Sequence, residues 1–71
     1  MARYRSDGSV FISWLNNDGG ANGPAASGYS IERSTDNQTW TVIATVQPTS
    51  VYIDTSAPSG VPLYYRVGSN P

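Results

Sequence analysis

The sequence predicts an all-β domain, a two-sheet antiparallel β-sandwich of about six strands, from three observations. Two segments, Val10-Phe11-Ile12-Ser13-Trp14 and Leu63-Tyr64-Tyr65-Arg66-Val67, alternate residue by residue and carry aromatic and β-branched side chains, as half-buried strands do. Seven glycines and five prolines cut the 71 residues into short segments, and none of these sustains a helical period. The longest run free of Gly and Pro, residues 29–47, is dominated by Ser, Thr, Val and Ile, with Asp36-Asn37 as a turn in its middle. A chain of this length makes one domain, here residues 1–71.

In chain order, Ala2-Arg3-Tyr4-Arg5 alternates weakly and reads as a short, solvated edge strand. Ser6-Asp7-Gly8-Ser9 has turn chemistry. A strand follows over residues 9–15, with Val10, Ile12 and Trp14 facing the core and Phe11 and Ser13 facing away. Residues 16–27 hold three glycines, a proline and no apolar side chain larger than alanine, which predicts a long exposed loop. The next strand, residues 28–34, turns Tyr29 and Ile31 inward and Ser30 and Glu32 outward. Thr35-Asp36-Asn37-Gln38 then reverses the chain into a returning strand over residues 40–46, and Pro48 ends it. A short strand over residues 50–55 precedes a crossover at residues 56–60. The last strand covers residues 63–67, and Gly68-Ser69-Asn70-Pro71 is expected to break its pattern.

Composition narrows the function classes. A 71-residue chain without cysteine has a small core and no disulfide to support it, so a partner surface is the remaining source of stability. The net charge is −1 and the only cations are Arg3, Arg5, Arg33 and Arg66, far short of a phosphate-tracking groove, so no nucleic-acid partner is expected. No apolar run has membrane-spanning length, and the first fifteen residues lack a signal-peptide h-region. With no histidine, cysteine or lysine, the commonest general bases, nucleophiles and metal ligands are missing. No catalytic, metal or cofactor site is therefore expected. A carboxylate pair of Asp36 and Asp54 for glycoside work competes with the ordinary use of turn aspartates as caps of their own backbone. Asn16-Asn17-Asp18-Gly19-Gly20 has one acid and misses the alternating spacing of a calcium loop. Asn37-Gln38-Thr39 is a formal glycosylation sequon and reads as turn chemistry.

Several segments together resemble a fibronectin type III domain of the bacterial sort, from about residue 9 to residue 67. Val10-x-Ile12-Ser13-Trp14 is similar to the signature of that family's second strand, with Trp14 as the central core tryptophan. Gly28-Tyr29-Ser30-Ile31-Glu32-Arg33-Ser34 and Trp40-x-x-Ile43-Ala44-x-Val46 are similar to the two strands after it. Tyr52-x-Asp54-Thr55, then Pro58-x-Gly60 and Tyr65-Arg66-Val67, resemble the remaining strands and their crossover. The resemblance implies an immunoglobulin-like sandwich with two departures. Leu63 stands where the family has a corner tyrosine, which implies a crossover without its usual tie. The first strand is cut short and no counterpart of the last strand follows Val67, so the chain reads as one strand short.

The candidate contact residues follow from parity. If Tyr52 faces inward, Val51 and Ile53 face outward beside Phe11 and form an exposed apolar patch; a one-residue slip would bury them instead. Tyr64 and Arg66 point outward from the last strand as a second face. The unpaired edge of residues 63–67 invites an added strand from another chain or from a copy of this one. The expectation is a non-catalytic structural module that binds protein, by self-association or within a larger assembly, as an accessory or decoration protein of a phage capsid or tail. The other readings are a spacer or carbohydrate-associated module of a secreted bacterial enzyme, hence extracellular, and an adhesion module. No membrane insertion is expected, and carbohydrate stays open as a ligand.

Overall fold

The computed structural model describes residues 2–16 and 25–70, and six strands occur among them. They are β1 (Ala2–Tyr4), β2 (Val10–Ser13), β3 (Gly28–Ser34), β4 (Thr41–Val46), β5 (Val51–Asp54) and β6 (Tyr64–Asn70). No helix occurs among the described residues. The strands form two three-stranded sheets, ordered β1-β2-β5 and β4-β3-β6, and every ladder is antiparallel. The fold is therefore a small two-sheet β-sandwich, as the alternation predicts.

Local chemistry sets the turns. Between β1 and β2, Asp7 Oδ1 accepts from the Ser9 N–H at 2.9 Å and from the Ser9 hydroxyl at 2.6 Å. Gly8 closes this turn with φ at 89°, a conformation that side chains with a Cβ resist. The β3–β4 turn is wound around Asp36, whose Oδ1 accepts from the N–H groups of Gln38 and Thr39, each at 2.8 Å. Asn37 takes the left-handed position at φ 61°, which asparagine tolerates better than most residues.

The core is drawn from both sheets. Val10 and Ile12 of β2 meet Tyr29 and Ile31 of β3, with Ala26 beside them, and all five are buried. Trp14 is half-buried and packs against this cluster from one side, its ring 5.5 Å from that of Tyr29. Strict alternation would send Ile43 and Ala44 to opposite faces, yet both pack against the core. A register shift explains it: Ile31 pairs with Ala44 and Glu32 with Val42, leaving Ile43 as the extra residue of a bulge.

Two strand ends differ from expectation. β2 stops at Ser13, and Leu15 is 79 % exposed, although the Trp14 N–H still donates to the Ser50 carbonyl at 2.9 Å. β6 does not break at Gly68 but continues to Asn70. There, Gly68, Ser69 and Asn70 pair with Ser30, Tyr29 and Gly28. Ladder bonds to a long partner strand outweigh the weak strand propensity of Gly, Ser and Asn. The Ser27 N–H donates to the Asn70 carbonyl at 2.9 Å and secures this end. Gly28 is required where the strands converge, because a Cβ there would lie 2.5 Å from the Val46 carbonyl oxygen.

Candidate docking surfaces

The outer face of the first sheet carries the patch built from parity. Phe11 lies opposite Ile53, and Ser13 lies opposite Val51. Tyr52, the residue between, pairs with buried Ile12 and packs against the core. Val51 and Ile53 are 44 % and 40 % exposed, so this register is the one that leaves them outside. Phe11 is half-buried, and Arg3, opposite it on β1, flanks the patch on the same face.

On the outer face of the second sheet, Tyr64 and Arg66 both emerge from β6, but they are differently engaged. Tyr64 is exposed. Arg66 grips Glu32 of β3 with two bonds, Nε to Oε2 at 2.9 Å and Nη2 to Oε1 at 3.2 Å. Its guanidinium also sits 4.3 Å from the centre of the Trp40 ring, just before β4. The Arg66 bond holds the Glu32 carboxyl below its ordinary pKa. The sequence places each of these residues outward but does not join them, since Glu32 and Arg66 are 34 residues apart and meet only through the β3–β6 register.

The edge of β6 is the longest feature without a partner. Among the described residues this seven-residue strand pairs only with β3, so the alternate N–H and C=O groups on its other side face no strand. It has no proline and no register shift on its ladder, and Arg66 is its one charged residue.

Asp54, by contrast, is saturated. It is 1 % exposed at the end of β5. Its Oδ2 accepts from Arg33 Nη1 and from the Tyr65 hydroxyl, each at 2.8 Å. Its Oδ1 accepts from the N–H and hydroxyl of Ser56, each at 3.0 Å. Burial pushes the Asp54 carboxyl pKa up, but the bonds from Arg33, Tyr65 and Ser56 together outweigh it and hold the value below the ordinary range. Tyr65 is pushed the other way, by burial first and then by Asp54. This network ties the two sheets together. Leu63 packs against the core, and Tyr65, two residues on, joins β6 to β5 through the Asp54 carboxylate.

The remaining candidates are accounted for differently. Asp36 serves its own turn, and the N–H groups of Thr39 and Gln38 with the Ser34 hydroxyl draw its pKa down to about 2. Asp36 and Asp54 are thus each committed to structure. Among the described residues no group of three or more acidic, His or Cys side chains could hold a metal ion. Of the residues considered for calcium only Asn16 is described, and its Oδ1 accepts from the Tyr29 hydroxyl at 2.9 Å; the others lie outside the described residues. Asn37 is exposed at the hairpin tip. No protein-family model, curated protein or solved structure matches the chain.

Proposed function

We propose that this chain is a non-catalytic interaction module of fibronectin type III-like type that docks on a larger protein assembly. The assembly we favour is a phage capsid or tail. The observation that carries the docking reading is β6, a seven-residue strand that is bonded on one side only among the described residues. The outward patch of Phe11, Val51 and Ile53 supports it as a second contact face. The pairing of β5 with β2 and of β3 with both β4 and β6 is in keeping with the resemblance.

Sedimentation over a range of concentrations tests the reading, together with Phe11→Ser. The chain is expected to associate as concentration rises. Phe11→Ser should weaken that association while moving stability by about 1 kcal/mol or less, as at other sites near the surface. A wild-type chain that stays a stable monomer throughout, or a Phe11→Ser chain that associates normally, removes the patch from the proposal.

A further inference from the structure

Arg33 commits only part of its hydrogen-bonding capacity to the Asp54 network. Its Nη1 donates to Asp54 Oδ2 at 2.8 Å and, at 3.5 Å, to the Ser56 hydroxyl, while Nε and Nη2 meet no acceptor among the described residues. A guanidinium carries five N–H donors in a planar fork, and the Arg33 side chain is largely buried, a setting in which donors are normally matched. Neither nitrogen is shut away, since Trp14 Nε1 is the one buried side-chain polar atom without a partner among the described residues. The space that Arg33 lines is a hollow of about 220 Å³ between the β3–β4 turn and the crossover. Its other lining residues are Ser34, Thr35, Thr39, Thr41 and Pro58. Thr41 lies directly opposite Arg33 in the ladder, on the same face of the sheet.

This lining selects a class of ligand. The exposed hydroxyls of Thr35 and Thr41 hold no side-chain bond among the described residues, so each is free to donate and to accept. The open edge of Arg33 asks for two neighbouring acceptor oxygens. Charge decides which kind. An anion would meet Asp54 across the same guanidinium, and Asp36, which is bonded to Ser34 and Thr39 of the lining. Two carboxylates against one guanidinium leave these surroundings net negative, which favours a neutral acceptor. Adjacent uncharged oxygens that also donate are the vicinal hydroxyls of a sugar. The hollow is smaller than the roughly 300–1,000 Å³ of drug-sized pockets, which suits a single ring, and Pro58 offers an apolar wall to its C–H groups. We infer that this hollow binds one ring of a neutral saccharide, a vicinal hydroxyl pair on Arg33 Nε and Nη2 and further hydroxyls on Thr35 and Thr41.

The site uses neither the outer patch nor the edge of β6, so it stands or falls apart from the docking reading. The probes are the methyl pyranosides of glucose, galactose and mannose. Each is titrated into the full chain while the Arg33 Nε–H and the Thr35 and Thr41 amide resonances are followed. At least one is expected to shift them saturably, with an affinity that changes less than about twofold between low salt and about 0.5 M NaCl. Thr41→Val keeps the shape of the side chain and should weaken binding about two- to tenfold, the worth of one hydrogen bond. Arg33→Lys keeps a charge for Asp54 but removes the fork, and should weaken binding at least about tenfold. Its melting transition checks that it folds; if it does not, Thr41→Val decides. Cyclohexanol, with a single hydroxyl, should leave the resonances in place. If none of the three sugars moves them at about 0.1 M, the hollow holds water alone and the inference is overturned. Tighter binding of acetate or inorganic phosphate than of any sugar overturns it too, as does a Thr41→Val chain that binds like the wild type.

Discussion

The two long sides of this sandwich are finished differently. On one side, β5 and the crossover after it bring Asp54 against Arg33 and Tyr65, and both carboxylate oxygens accept two bonds each inside a buried site. On the other, β1 and β6 leave Tyr4 in the open, and the buried indole N–H of Trp14 has no acceptor among the described residues. Tyr65 belongs to both: its hydroxyl ends in the closed side, and the residue also lines a groove shared with Ala2, Ile12 and Trp14 on the open one. The difference shows where the described residues satisfy their own buried polar groups and where they do not. Buried polar groups are the sensitive indicator, because leaving one unpaired costs more than losing a comparable apolar contact.

The comparison can be broken most severely at the closed side. Asp54→Ala leaves Arg33 largely buried without its counter-charge, and removing one partner of such a pair costs about 3–5 kcal/mol. In a domain this small that is expected to abolish cooperative thermal unfolding; a normal melting transition would show that the network is not a structural tie. Trp14→Ala tests the open side and should cost about 3 kcal/mol, the low end for a truncated tryptophan, since Trp14 is only half-buried. A loss as large as that of Asp54→Ala, measured by urea unfolding, would mean that the open side is as complete as the closed one.

Acid gives a smaller and graded effect. The carboxyl groups of Asp54 and Asp36 lie below the ordinary 3.8 in the folded chain, Asp36 at about 2. Each therefore binds its proton more weakly folded than unfolded, and its stabilisation is complete above about pH 4. It is lost as pH falls through the folded values. Urea midpoints should drop between pH 4 and pH 2, and Asp54→Asn should flatten that fall. An unchanged slope in Asp54→Asn would place the acid sensitivity elsewhere. The smallest effect is expected at Ile53→Ser on the outer patch, within about 0.5 kcal/mol, as for other exposed positions. A loss beyond about 1 kcal/mol would mean that Ile53 packs within the isolated chain.

Much of the framework is readable from residues near one another in the chain. Val10, Ile12, Tyr29 and Ile31 are buried where alternation puts them, and Asp36-Asn37 makes the turn its chemistry suggests. The exposure of Val51 and Ile53 also follows from parity, once Tyr52 is taken as inward. The bulge at Ile43 was not readable, because it appears only when β3 and β4 are paired. Nor was the length of β6, whose final residues hold as a strand only against Gly28, Tyr29 and Ser30. Parity puts Arg66 on an outer face, but only the register sets it beside Glu32 and Trp40.

By itself the sequence determined that this chain is all-β, which segments are strands, and which of their faces turn inward. A period of two is a local property, carried by each strand before it meets any other. Tertiary structure alone decided how Asp54 is used, where Arg66 is engaged, and how far β6 extends. Those outcomes depend on atoms delivered by strands far apart in the chain, and no window of sequence contains both sides of such a contact.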